Sequence, residues 1–359
     1  MKNREKFILS LISEIGIYAR SFNNRPAVDT LYFGGGTPSL MEPCELALIL
    51  DELQKYFIFK EGFEFTHECN PGTIEKSKLD GFRELGVNRL SIGIQSLIPK
   101  ELEFLDRIHS PEEALKAIVT AREAGFENIS TDIIFSLPGQ KVDDIKYTLE
   151  NLLEYNPNHI SAYNLTFEKG TPLFNRMQSG KVLKNNDETD AEIFEFVSDK
   201  LTESGYEQYE VSNFALYGKK CRHNLNYWNV GEYFAFGPSA HGFVNGVRYW
   251  NHRNLKKYFD LLDNSELPVE GKETLTKRQK LEERIMLGLR CEGINIDDIK
   301  KEFDIDLSYF NKELINHLFQ EGLMTNGNGI LRLTRKGFLL SDEIITNICV
   351  GISDMINYS

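Results

Sequence analysis

The chain has 359 residues, of which 41% are hydrophobic and 26% charged, as expected of a globular protein with two or three domains. Its net charge of −13 argues against a nucleic-acid backbone as ligand, and no apolar run reaches the length of a membrane span. The five cysteines are scattered and odd in number, with no secretion signal ahead of them, which implies a reducing, cytoplasmic setting and not a disulfide framework.

Phe7, Ile8, Leu11, Ile12, Ile15 and Tyr18 recur at helical spacing and predict a helix over 2–20. Strands are then expected over 28–34, 63–69, 88–94, 128–136 and 159–166. Helices over 42–56, 74–86, 99–106, 111–125 and 141–155 separate them. This alternation reads as parallel βαβ units, wound by right-handed crossovers into a barrel or doubly wound sheet. Because the series opens on a helix, the barrel looks as though its first strand is missing.

The first strand stops in Gly34-Gly35-Gly36-Thr37-Pro38, where glycine permits positive φ and close backbone approach to a ligand. Such turns at the carboxyl ends of strands are where α/β folds place ligands. Polar groups recur at the later ends: Glu68 before Cys69-Asn70-Pro71, Gln95 before Ser96, Arg107, Asp132 within an apolar run, then Ser161, Asn164 and Thr166. In a parallel barrel these all open on one face. A buried carboxylate needs a partner, so the plainer alternative is a rim network pairing Glu68 and Asp132 with Arg89 or Arg107.

Past residue 170 the alternation ends. A helix over 187–205 and a strand over 206–214 lead into an aromatic segment, 221–250. Within Lys219-Lys220-Cys221-Arg222-His223-Asn224-Leu225-Asn226-Tyr227-Trp228, a histidine and adjacent thiol could ligate haem iron. Tyr227 and Trp228 offer ring faces to a porphyrin, and the basic residues offer partners for its propionates. The plainer alternative is a satisfied structural histidine. Helices over 277–290, 296–303 and 307–320, then a turn at Asn326-Gly327-Asn328-Gly329, suggest a winged-helix-like module. Residues 271–359 carry 12 Lys and Arg against 14 Asp and Glu, so packing or partner binding is expected there and not nucleic acid. The expected division is 1–170, 171–270 and 271–359.

Gly34 to Pro38, Glu68 to Pro71, Asn88 to Ser96, Asp132 to Gln140 and His159 to Tyr163 together resemble the radical SAM proteins related to oxygen-independent coproporphyrinogen III oxidase. His223-Asn224 followed by Tyr227-Trp228 is similar to the haem-chaperone branch of that family. The resemblance runs over nearly the whole chain. It implies an α/β fold, a partial (β/α)6 barrel here missing its first strand, followed by an α+β segment and a winged-helix-like domain. It also implies S-adenosylmethionine at Gly35, Gly36, Thr37, Glu68, Gln95, Arg107, Asp132 and Thr166, and haem at His223, the candidate iron ligand. The implied activity is passage of haem to an acceptor protein, a membrane-associated haem protein among the candidates. Oxidative decarboxylation of coproporphyrinogen III is the alternative, and the oligomeric state is left open. The family's four-iron four-sulfur cluster sits on a CxxxCxxC loop after the first strand, and that spacing is absent here. The chain is therefore expected to be shortened at its N-terminus and, as given, to assemble no cluster and run no radical chemistry.

Overall fold

The computed structural model describes residues 2–356. Helix α1 (Lys2–Ala19) precedes five βα units: β1 (Ala27–Phe33), α2 (Pro43–Tyr56), β2 (Ile58–Cys69), α3 (Lys76–Glu84), β3 (Arg89–Gln95), α4 (Pro99–Phe104), α5 (Pro111–Glu123), β4 (Ile129–Phe135), α6 (Val142–Leu153) and β5 (His159–Asn164). The five strands pair in parallel and in chain order. Local signals start the helices: Pro111 opens α5 behind a capping box between Ser110 and Glu113.

After α7 (Pro172–Gln178) and α8 (Asp187–Glu203), β6 (Glu207–Gln208) and β7 (Asn213–Ala215) close the sheet. The order is β1-β2-β3-β4-β5-β7-β6, with β7 antiparallel to β5. The expected strand over 206–214 is thus two short strands. A turn interrupts it where the buried Glu210 carboxylate accepts the Ser212 N–H at 3.0 Å. The fifth strand likewise ends at Asn164, not at 166, and β2 starts at Ile58, ahead of the expected 63. Its first residues pair with Ala27 and Val28 before the register shifts.

The pleat gives the sheet two unlike faces. Leu90, Ile92 and Ile94 of β3, Ile129 and Ile133 of β4 and Ile160 of β5 are all fully buried in the core. The intervening residues are polar and share rows across the sheet: Thr30 beside Glu64, Tyr32 beside Thr66, Glu68 beside Ser91, and Asp132 beside Ser161. A half-barrel with an apolar outer wall and a polar inner wall results.

The middle of the chain carries α9 (Arg222–Trp228), the antiparallel strands β8 (His241–Val244), β9 (Val247–Asn251) and β10 (Val269–Thr274), and α10 (Leu255–Asp263). This second sheet was not expected from the aromatic segment. Helix α9 lies against β1, the edge strand, and Arg222 donates to the Gly62 carbonyl at 2.7 Å. The last part packs α11 (Lys277–Leu289), α12 (Ile296–Phe303), α13 (Leu307–Phe310), α14 (Lys312–Gln320), α15 (Arg335–Leu339) and α16 (Ser341–Ile356) around the small sheet β11 (Ile294–Asn295), β12 (Met324–Gly327) and β13 (Ile330–Leu333), in the winged-helix manner.

Candidate functional site

The carboxyl end of the half-barrel gathers most of the expected residues. Glu68, last but one in β2, accepts the Tyr32 hydroxyl at 2.8 Å through Oε1 and the Gly35 N–H at 3.0 Å through Oε2. The glycine turn is required for two different reasons. A Cβ on Gly34 would lie 2.5 Å from the Tyr32 ring and 2.8 Å from Glu68 Oε1. Gly35 and Gly36 instead have φ of +80° and +66°, with open space where a Cβ would stand. Half-buried Thr37 follows, and Ser39 ties the turn to the next one through Thr73 at 2.5 Å and the Asn70 N–H at 3.0 Å.

Asp132 is held on the inner wall, where Ser91 donates to its two oxygens at 3.1 and 3.0 Å. Burial raises its pKa, against the hydrogen bonds from Ser161 and Ser91 and the nearby Arg89 charge. Arg89 is fully buried among Cys221, Glu64, Tyr32 and Asp132, yet its Nε finds no acceptor among the described residues. The plainer alternative of a rim network is not built from ion pairs: among the described residues none joins Glu68 or Asp132 to Arg89 or Arg107, although the Arg89 charge acts on Asp132. Gln95 sits where the β3–β4 register shifts, with φ +68°, and its amide folds back over Gly93. Arg107 is half-buried with its Nε unmatched, beside His109, which bonds the Ile94 carbonyl at 3.2 Å. Thr166 lies exposed two residues beyond β5 and makes no hydrogen bond to the other candidates among the described residues.

His223 belongs to α9, next to this cluster. Buried Glu64 accepts the Arg222 and His223 N–H groups at 3.1 and 3.0 Å and so caps the helix. The imidazole makes a hydrogen bond at each nitrogen, Nδ1 with Thr30 Oγ1 at 2.8 Å and Nε2 with Tyr227 Oη at 2.7 Å. Its ring stacks on Tyr32, centroids 4.9 Å apart. Burial depresses its pKa to about 4, Glu64 opposing, so the ring is neutral at pH 7. Tyr32, Thr30, Glu64 and Ser91 are the residues that sequence reasoning missed, and their signal was the polar alternation along β1, β2 and β3.

Three expected contributors to haem binding are otherwise engaged. The Cys221 thiol donates to Glu64 at 3.5 Å, and burial pushes its pKa to about 11, so the free side chain is a protonated thiol at pH 7. Lys220 pairs with Glu207 and Glu292, at 2.8 and 2.9 Å, and Arg222 faces Asp29 at 3.6 Å.

The donors fit S-adenosylmethionine: an open glycine cradle, two inner-wall carboxylates, an amide, and a guanidinium whose Nε is unmatched. An iron–sulfur cluster is another matter. Among the described residues no three His, Cys, Asp or Glu side chains come close enough to share a metal ion. Cys44, Cys69, Cys221, Cys291 and Cys349 each belong to a different part of the fold. These residues offer a cluster no ligand set.

Residues 2–152 match the Radical SAM superfamily, and residues 275–340 match the HemN C-terminal domain. The chain is 34% identical over 322 residues to heme chaperone HemW of Bacillus subtilis, covering 89% of this chain and 85% of that one. It is 32% identical over 345 residues to heme chaperone HemW of Mycobacterium tuberculosis H37Rv, with 96% and 86% covered. It is 36% identical over 337 residues to a zebrafish protein, mitochondrial radical S-adenosyl methionine domain-containing protein 1, with 90% and 76% covered. Among solved structures, coproporphyrinogen III oxidase (HemN) from Escherichia coli superposes with a TM-score of 0.81 at 24% identity, over 97% of this chain and 82% of that one, a likeness of fold. Identity of this degree over most of both chains assigns the family, and the chain belongs to the HemW haem chaperones of the radical SAM superfamily.

Proposed function

We propose that this protein takes up haem through His223 on α9 and delivers it to an acceptor protein, on a scaffold whose barrel mouth binds S-adenosylmethionine. The observation that carries the reading is the mounting of His223, with a neutral ring, Nδ1 bonded inward to β1 and Nε2 bonded to Tyr227. Tyr227 is 38% exposed, so the partner at Nε2 is the one open to solvent. Haem, when bound, supplies an iron with an axial position that accepts an imidazole lone pair. Glu64 holds the helix N-terminus, and Tyr32 gives the imidazole a flat wall to rest on.

At the mouth, Gly35 and Gly36 supply backbone to the ligand, Glu68 and Asp132 face its cationic groups, and Gln95 and Arg107 meet its polar atoms. Thr37 flanks the turn, and Thr166 would have to approach from outside the cluster. Uptake and release of haem need no cluster chemistry from the described residues. The acceptor is proposed to be a haem protein, membrane-associated among the choices, met from the cytoplasm. No helix of the described residues is long and apolar enough to cross a membrane. The winged-helix-like part, with its small negative charge, is the proposed docking module of a three-part chain divided near 170 and 270. The decarboxylase reading rests on the HemN fold, which carries no substrate with it.

Titration with haemin, followed at the Soret band, tests the reading. Wild type is expected to saturate with a shifted band and then to hand haem to an added apo haem protein. His223→Ala is expected to bind much more weakly, and an unaltered spectrum in that variant removes His223 from the site.

A further inference from the structure

His223 is held at both ring nitrogens by hydroxyl groups, and the two holders differ in how they are fixed. Thr30 stands in the middle of β1, whose neighbours Leu31 and Tyr32 are paired in register with Phe65 and Thr66 of β2. It reaches Nδ1 at 2.8 Å in part-buried surroundings. Tyr227 stands one turn along the short helix α9, with 38% of its surface exposed, and reaches Nε2 at 2.7 Å. Its ring meets those of His223 and Tyr233 edge to face, at 4.9 and 4.6 Å. Tyr227 is exposed where Thr30 is part-buried, so of the two it is the side chain with room to turn about its own bonds.

A neutral imidazole carries one N–H and one lone pair, and either hydroxyl can donate or accept. The two ends are thus correlated: if Nδ1–H donates to Thr30, the Nε2 lone pair must accept from Tyr227. We infer that Thr30 and Tyr227 act on His223 as a permanent and a removable partner. Thr30 accepts the Nδ1 proton and leaves the Nε2 lone pair for iron, and the Tyr227 hydroxyl covers that lone pair until haem replaces it. This rests on the haem reading above and adds two positioning residues to it.

The exchange balances without any proton leaving the protein. The Tyr227 O–H···Nε2 hydrogen bond would break, and the Nε2 lone pair would take the place on iron of the water molecule that free haem carries, which leaves to solvent. Tyr227 keeps its proton and donates it to water, and Nδ1 keeps its own proton on Thr30. Thr30 also tunes the ligand, because a histidine that donates its second N–H is a more basic ligand for the metal.

Haemin titrations and ferric/ferrous potentiometry on wild type, Tyr227→Phe, Thr30→Val, Thr30→Ser and His223→Ala test the inference, with thermal unfolding confirming that each variant is folded. Tyr227→Phe is expected to bind haemin about threefold to tenfold more tightly with the Soret maximum unmoved, because one neutral hydrogen bond no longer competes. Thr30→Val is expected to weaken binding by a similar factor and raise the reduction potential, and Thr30→Ser to restore both. Weaker binding or a displaced Soret maximum in Tyr227→Phe overturns the inference, as does a Thr30→Val protein with wild-type affinity and potential. If His223→Ala binds as wild type does, the haem reading falls and this inference with it. If His223→Ala loses binding while the other variants match wild type, only this inference falls.

Discussion

Tyr32 lies flat against His223, with ring planes 20° apart and centroids 4.9 Å apart, and its hydroxyl donates to Glu68 at 2.8 Å. One side chain thus belongs both to the barrel mouth and to the packing around His223. Tyr32→Phe keeps the stack and removes the bond to Glu68. It is expected to lower stability by about 1.5–3 kcal/mol in urea unfolding, the range for a hydrogen bond to a charged group, and to leave haemin affinity unchanged. Tyr32→Ala removes the shelf as well and is expected to weaken haemin binding. Equal haemin affinity in both variants would show that the stack does not position His223.

The adjacent glycines separate steric from torsional need. Gly34→Ala drives a methyl into the Tyr32 ring and the Glu68 carboxylate, at 2.5 and 2.8 Å, so both must shift. A loss of about 1–3 kcal/mol is expected, as for an overpacked site. Calorimetry is expected to show S-adenosylmethionine binding falling with it. Gly35→Ala meets no atom within 4 Å, and its cost is the left-handed backbone alone, about 1–2 kcal/mol. A Gly34→Ala protein with wild-type stability and binding would refute the close packing of Tyr32, Glu68 and the turn.

The sequence pattern carried the parts of this site that are local. Gly34 to Gly36, Glu68 and Gln95 stand at or near strand ends, and Asp132 interrupts an apolar run in mid-strand, both of which can be read from apolar alternation and glycine turns. The fifth strand reads too long because Leu165 continues that alternation. Its N–H still bonds the Phe135 carbonyl at 3.0 Å, but the regular ladder has stopped, which leaves Thr166 outside. What could not be read is contact between distant positions. Thr30 and His223 are 193 residues apart, and Glu64 and His223 are 159 apart. No local pattern tells which partner a polar inner-wall residue will meet. The second sheet was hidden for a similar reason: its aromatic residues suit a ligand site and a strand equally well.

Glu64 is expected to control α9. Its carboxylate accepts the Arg222 and His223 N–H groups, so Glu64→Ala leaves two backbone donors and the Cys221 thiol without an acceptor. The cost is about 1–3 kcal/mol, borne mainly by a seven-residue helix that cannot stand alone. Hydrogen exchange at Arg222 and His223 is therefore expected to quicken, and haemin binding to weaken. Unchanged protection of those amides would mean that packing on β1, and not this cap, holds the helix.

Glu14 fastens α1 to the second sheet and supplies the clearest pH dependence. It is almost fully buried and accepts the Gly237 N–H at 2.8 Å, the Asn251 amide at 2.6 Å and the Tyr258 hydroxyl at 2.6 Å. Burial outweighs these bonds and raises its pKa from 4.5 to about 7. Below pH 4.5 the carboxyl is protonated in both folded and unfolded chains, and its contribution to stability is fully present. As pH rises through 7 the folded chain must ionise a buried group, and about 3 kcal/mol of that contribution is lost. Glu210, raised to about 7 by burial, acts in the same direction, whereas His67 and His223, lowered to about 4 by burial, lose stability as pH falls from 6.5. The difference between wild type and Glu14→Gln cancels those other groups, because the variant keeps them all. Denaturant unfolding of the two proteins at pH 4.5 and pH 8 is expected to show the variant gaining on wild type at the higher pH by about 2–3 kcal/mol. A difference that does not change with pH would place the Glu14 carboxyl in contact with water and withdraw its part in fastening α1.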